Sequence, residues 1–137
     1  MGVRAELASP PAGAALVGVL CVGSVDDAAA GYGFYVDADG SFLVTREEPS
    51  GEATFLEQGR DPRIADTRRI SITCVEELTG GTAITGWVDG IEIVGTTDAD
   101  QVDGFDHAGI AIVPDRAGDA VTFTSVVARV PDEEWTP

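Results

Sequence analysis

Along this chain apolar and polar residues alternate in short runs, and nowhere do the apolar ones recur at the three-to-four spacing of an amphipathic helix. Runs rich in Val, Ile, Thr, Phe and Tyr are punctuated by Gly, Asp and Pro, the residues that end strands and build turns. The pattern predicts strands over 2–7, 15–23, 32–37, 41–47, 54–58, 69–76, 84–89, 91–97, 108–114 and 120–130. The best helical candidate, "RDPRIADTRR" (60–69), has room for one turn at most. Close-spaced short strands of this kind describe a sandwich or a barrel.

Two junctions carry their own turn chemistry. Asp39-Gly40 and Asp89-Gly90 each separate two β runs, and Asp-Gly is a strong hairpin signal because Gly tolerates the positive φ such turns need. The first junction also imitates a calcium loop, since Asp37, Asp39, Ser41, Val44 and Glu48 fit oxygen-donor and hydrophobic positions of the helix-loop-helix pattern. Phe42 occupies the position where that pattern requires Gly, and strands rather than helices flank it. A plain hairpin is therefore expected. The segment "TTDADQVDGFD" (96–106) places Asp98, Asp100, Asp103 and Asp106 close together; it reads as a solvated loop, with calcium the one cofactor such a loop could take.

No linker, repeat or low-complexity tract divides the chain, so residues 1–130 are read as one domain followed by a tail, 131–137, which loses alternation after Val130 and reads as a frayed end, with docking of Trp135 on the body as the alternative. A chain of 137 residues is long enough to bury about two thirds of its unfolded surface, so its core needs no metal. The Met-Gly opening suits a domain excised from a longer protein, with an upstream strand and any export signal lying outside it.

Charge narrows the partners. Twenty-four acidic residues against eight basic ones give a formal −16, and every basic residue is Arg. Such a surface repels phosphate backbones and anionic membranes, which argues against nucleic acid. No apolar run approaches the ~20 residues needed to span a bilayer, so membrane insertion is not expected.

Cys21 and Cys74 lie in the apolar runs "LVGVLCVGS" and "RISITCVEE". They either meet across strands or sheets as a disulfide or stay apart as small core residues. The absence of CxxC spacing favours the disulfide, and with it an oxidising compartment.

Catalytic patterns are missing. Glucanases on sandwich folds carry carboxylates at alternate positions of one strand, facing each other at about 5 Å. Here Glu47/Glu48, Glu76/Glu77 and Glu133/Glu134 are adjacent and would point to opposite faces. The single histidine, His107, has no Gly-x-Ser-x-Gly partner, and "LTGGTAITG" lacks the Lys and following helix of a phosphate loop. An enzyme is not expected. What remains is a binding surface, with Trp87, Tyr32, Tyr35 and Arg46 as candidates because each sits in a predicted strand. The alternative is that large strand aromatics such as Trp87 and Phe34 simply fill the core.

The order of the runs "LVGVLC", "GYGFYVDADGSFLVTR", "RRISITC", "GWVDGIEIV", "HAGIAIV" and "VTFTSVVARV" resembles the concanavalin-like, laminin-G-like jelly-roll modules of actinobacterial extracytoplasmic proteins. It is more distantly similar to 3-keto-disaccharide hydrolase-like domains. Cys21 and Cys74 fall where that pattern pairs cysteines; Tyr32, Asp39, Gly40 and Arg46 fit its Tyr-hairpin-Arg segment. Asp89-Gly90, Gly109 and Phe123 match further positions, while Val22 and Thr124 depart from the Arg and Asp usual there. The resemblance implies an all-β antiparallel jelly-roll sandwich of about ten strands, extracytoplasmic and secreted as part of a longer protein. It also implies a non-catalytic module for carbohydrate or another envelope ligand. A structural or self-associating domain and a degenerate glycoside hydrolase are the alternatives, the latter needing carboxylates from separate strands within about 9 Å.

Overall fold

In the computed structural model, which describes residues 1–11, 16–100, 102–114, 120–132 and 134–137, the alternation resolves into ten strands with one buried and one outward face. They are β1 (Gly2–Leu7), β2 (Leu16–Val25), β3 (Ala28–Val36), β4 (Ser41–Glu47), β5 (Ala53–Arg60), β6 (Arg69–Glu76), β7 (Thr82–Val88), β8 (Ile91–Asp98), β9 (Asp103–Val113) and β10 (Phe123–Arg129). Sheet I has the order β10-β1-β6-β7-β8 and sheet II the order β5-β4-β3-β2-β9, with antiparallel pairing throughout. The result is the antiparallel jelly-roll sandwich that the resemblance implied, where the pattern alone had left a sandwich or a barrel. The helical candidate contributes one 3-10 turn, Pro62–Ile64, in which the Asp61 carboxylate accepts from the Arg63 backbone N–H at 2.9 Å. The start of the second predicted strand at residue 15, and Gln101 and Glu133, lie outside the described residues.

Turn chemistry sets the registers. Asp89 and Gly90 have φ of 48° and 81°, the two left-handed residues of a tight primed turn. The Asp89 carboxylate accepts hydrogen bonds from the backbone N–H groups of Arg68 and Arg69 at 3.1 and 3.0 Å, locking β6 to the β7–β8 turn. At the calcium-like stretch, Asp37 Oδ1 accepts from the N–H of Asp39 and of Ser41 at 2.9 and 3.0 Å, and Gly40 takes φ 87°. That carboxylate closes a turn, as expected. One hairpin escaped the pattern: Asp26 and Asp27, with φ 48° and 65°, join β2 to β3 and lengthen both beyond the predicted 15–23 and 32–37. "VDDA" carries no glycine, and the turn rests on the tolerance of Asp for the left-handed region.

The core lies between the sheets, with Val3, Val19, Phe34, Ile70, Ile72 and Ile84 fully buried. Cys21 of β2 and Cys74 of β6 form a disulfide through this core, joining the two sheets with a Cα separation of 6.5 Å. β1 and β6 pack on β2 while β8 packs on β5, which leaves β9 and β10 as the edges of one side. By register, Ile110 stands opposite buried Val19 and Val126 opposite buried Ala5, so both belong to inner faces. They are nevertheless 42 % and 46 % exposed, so the sandwich is open along that side.

Candidate ligand-binding face

Across the outward face of sheet I the register sets Arg4, Ser71, Trp87 and Glu92 side by side on β1, β6, β7 and β8. Directly opposed residues in such a row have Cβ atoms roughly 5 Å apart, so these side chains share one surface. Strand β7 alternates cleanly: Ile84, Gly86 and Val88 turn inward, Thr85 and Trp87 outward. Gly86 explains which aromatic went where, because a β-carbon there would lie 2.7 Å from the Phe34 ring. Phe34 fills the core, and Trp87, partly exposed, is left on the surface sheet.

This face holds a concentration of unpartnered polar atoms. Trp87 Nε1, Ser71 Oγ, Arg4 Nε, Arg69 Nε and Trp135 Nε1 are buried without a hydrogen-bond partner, five of the six such side-chain atoms among the described residues. Ser71 is fully buried. Each of these atoms is itself almost wholly covered, so what the face presents to solvent here is the partly exposed indole of Trp87 and the exposed Glu92 beside it.

The C-terminal segment lies over part of the same face. The Trp135 ring rests on Gly2, where a β-carbon would approach it to 2.8 Å. The guanidinium carbons of Arg4 and Arg129 sit 6.0 and 5.8 Å from the ring centroid. Arg4 Nη1 donates to the Thr136 carbonyl at 2.9 Å. The tail therefore docks through its one large aromatic residue.

The other sequence candidates have different surroundings. Tyr32 is fully buried on the inner side of β3 and offers no ring face to a ligand. Its hydroxyl donates to Asp98 Oδ2 at 2.8 Å and lies 3.0 Å from the Asp100 carbonyl, and burial, reinforced by Asp98, pushes its pKa up to about 12. Arg46 donates from Nη1 to Asp98 at 2.9 Å and from Nε to Glu48 at 2.7 Å, with Asp100 at 3.4 Å. Those hydrogen bonds raise its already high pKa further. Arg46 is thus the hub of an ion cluster at the end of the sandwich, beside a small polar hollow lined by Val25, Arg46, Glu48 and Asp100.

Tyr35 faces outward on sheet II, where Gly18 and Gly33 leave room for its ring to lie flat across the strands. Its hydroxyl donates to Glu47 Oε1 at 2.9 Å, and burial followed by Glu47 raises its pKa. A shallow apolar groove between Leu16, Leu43 and Phe55 borders it. Glu47 and Glu48 accordingly point to opposite faces, one toward Tyr35 and the other toward Arg46.

The aspartate segment is not the open loop the pattern suggested. Asp98 ends β8, while Asp103 and Asp106 belong to β9, which starts five residues earlier than predicted. Backbone pairing with β2 extends the strand through the acidic stretch. Asp98 is taken up by Tyr32 and Arg46, and Asp106 lies 2.6 Å from exposed His107, itself a strand residue rather than a loop one. Among the described residues no three His, Cys, Asp or Glu side chains are grouped so as to hold a metal ion. No helix among them is long and apolar enough to cross a membrane.

Of the four binding candidates read from the sequence, only Trp87 belongs to the orphan-rich face; Tyr32, Tyr35 and Arg46 lie elsewhere. Arg4, Arg69, Ser71 and Trp135 were not anticipated. Alternation within each strand turns Arg4, Ser71 and Trp87 outward, but their adjacency follows from the β1-β6-β7 order, in which β1 and β6 lie more than sixty residues apart.

No family model matches this chain, and no curated protein matches it in sequence. Among solved structures it is similar in fold to sheep galectin-11 in complex with glycerol, with a TM-score of 0.60 at 10 % identity over 92 % of this chain and 86 % of that one. The chain thus shares its two-sheet architecture with a galectin.

Proposed function

We propose that this domain is a non-catalytic extracytoplasmic module that binds carbohydrate through the outward face of sheet I, with Trp87 as the stacking platform. The observation that carries this reading is the row Arg4–Ser71–Trp87–Glu92, in which a partly exposed indole lies on an outward sheet face beside an exposed carboxylate and a half-buried guanidinium. Aromatic surfaces offer apolar contact to the C–H faces of a sugar ring, and the polar neighbours fix its orientation. The likeness in fold to a galectin supports the ligand class. The Cys21–Cys74 disulfide supports an oxidising compartment. Glu48, just after β4, and Asp98, at the end of β8, meet at Arg46 and are both bound by it, which favours a binding role over hydrolysis. Calcium is not assigned a role.

The test is a thermal-shift and calorimetric screen of the domain against neutral and acidic oligosaccharides, repeated with Trp87→Ala. A saturable shift lost in the variant supports the reading; no shift with any glycan sinks it. A second reading, self-association, is favoured by the exposed inner-face residues Ile110 and Val126 on the open side. Sedimentation velocity separates the two: a concentration-dependent dimer that dissociates on Val126→Lys, together with no glycan response, would select it.

A further inference from the structure

We infer that the outward face of sheet II is an interface between two copies of this chain, packed face to face about a two-fold axis. An antiparallel sheet with one face in water alternates apolar inward and polar outward. Sheet I follows that rule, with Arg4, Glu6, Arg69, Thr73 and Thr85 turned outward. Sheet II does not. Taken from the inward-facing Val17, Val19, Phe34 and Val44, the register turns Leu16, Leu20, Leu43, Phe55, Ala111 and Val113 outward. Their strands include the nearly unbroken apolar runs "LVGVLCV" and "AGIAIV". Strands that are apolar on both sides belong to sheets covered on both sides.

The face is open and shaped to pair with itself. Phe55 and Val113 are 67 % and 50 % exposed, and Leu16, Leu20 and Leu43 are half-buried. Tyr35 lies flat over Gly18 and Gly33, and Leu20 lies against Gly109, so the surface between the strands stays low. Beside the protruding Phe55 ring runs the groove bordered by Leu16, Leu43 and Val113, of about 270 Å³. A projection next to a hollow on one face is self-complementary, because a two-fold axis sets the Phe55 ring of each copy into the groove of the other.

Charge and area select a second copy as the occupant. Over the span from Leu16 to Val22 and the described residues paired outward with it, Glu47 is the one acidic residue, and the Tyr35 and Thr45 hydroxyls already hold it. Two chains of formal charge −16 repel each other over most of their surface, and least where carboxylates are sparse. Five strands spaced about 4.8 Å and seven residues at about 3.3 Å give a footprint of roughly 550 Å² on each copy. The two footprints sum to roughly 1,100 Å², above the ~1,000 Å² that a biological interface needs. Tyr35, 8 % exposed with its hydroxyl engaged, offers a sugar no ring face here. The surface lies on the opposite side of the sandwich from Trp87, so pairing leaves the sheet I face of each copy free.

Sedimentation velocity of the intact chain over a range of concentrations tests this. A dimer is expected, and it should tighten as salt is raised, since screening weakens the repulsion between the two acidic copies. Phe55→Lys is expected to weaken self-association about tenfold or more, although it lowers the net negative charge. Val113→Lys, at the other end of the groove, repeats the test. Both sites are exposed, so the β-sheet circular dichroism of each variant should match that of the parent. Val126→Lys, on the inner face of β10, should leave the dimer intact. A monomer at every concentration and salt overturns the inference, as does a dimer that survives both lysines on sheet II. Dissociation on Val126→Lys alone would move the interface to the open side. None of these outcomes bears on the carbohydrate reading, which stands or falls on glycan binding by the Trp87 face.

Discussion

The Tyr32 hydroxyl donates to Asp98 Oδ2 at 2.8 Å across 66 residues of sequence, fastening the inner face of β3 in sheet II to the end of β8 in sheet I. Arg46, directly opposite Tyr32 on the neighbouring β4, holds the same carboxylate at 2.9 Å. A buried phenol and a guanidinium thus share one acid, which makes the three residues a structural clasp. Removing one partner costs more than the net worth of its bond, since the others stay behind desolvated. Tyr32→Phe is expected to destabilise by about 1–2 kcal/mol and Arg46→Ala by about 3 kcal/mol in urea unfolding. A double variant close to the simple sum would show that the two bonds to Asp98 are not coupled.

Alkaline pH should act through the tyrosines, of which the chain has two. Tyr32 is raised from about 10 to about 12 in the folded protein, chiefly by burial, and Tyr35 is raised as well. Between pH 10 and 12 the unfolded chain gives up protons that the folded one keeps, so stability is full below pH 10 and falls as pH rises through that window. Tyrosinate absorbance at 295 nm should therefore lag behind the free amino acid and rise together with loss of β-sheet circular dichroism. Titration near pH 10 with the sheet signal intact would contradict the burial of Tyr32.

The disulfide closes a loop with a sequence separation of 53. A loop of that size removes chain entropy worth about 4 kcal/mol from the unfolded state. Reduction with dithiothreitol, or Cys21→Ala with Cys74→Ala, is expected to lower the urea midpoint with a loss of this order, and the native protein should show no free thiol.

Docking of the tail gives a fourth expectation. Trp135→Ala removes a ring packed on Gly2 and flanked by two arginines, and should cost about 1–2 kcal/mol. Gly2→Ala should displace the ring from the other side of the same contact, so both variants are expected to shift tryptophan fluorescence to the red. An unchanged spectrum in both would mean that the ring is solvated in solution.

Much of this architecture was legible from local pattern. Alternation gave nine strands within a few residues of their place, and the β-carbon-free Gly40 and Gly90 marked two hairpins, because strand period and turn geometry are short-range consequences of the backbone. Where the pattern ran short, long-range pairing had overridden it: β2 and β3 continue to a glycine-free turn, and β9 pairs with β2 through residues whose acidity reads as loop. Cys21 and Cys74 were placed correctly in strands, but only the packing of β6 on β2 brought them together.

The sequence by itself determined which residues alternate, where the chain turns and which catalytic patterns are missing, since each of these depends on neighbours a few positions apart. Tertiary structure alone decided the use of the side chains. It turned Tyr32 inward onto Asp98, committed Arg46 to an ion cluster, and set Arg4, Ser71 and Trp87 in one row. A binding face on a sheet is made by strand order, and strand order is fixed by how two whole sheets bury their apolar sides against each other, a property no short window of sequence contains.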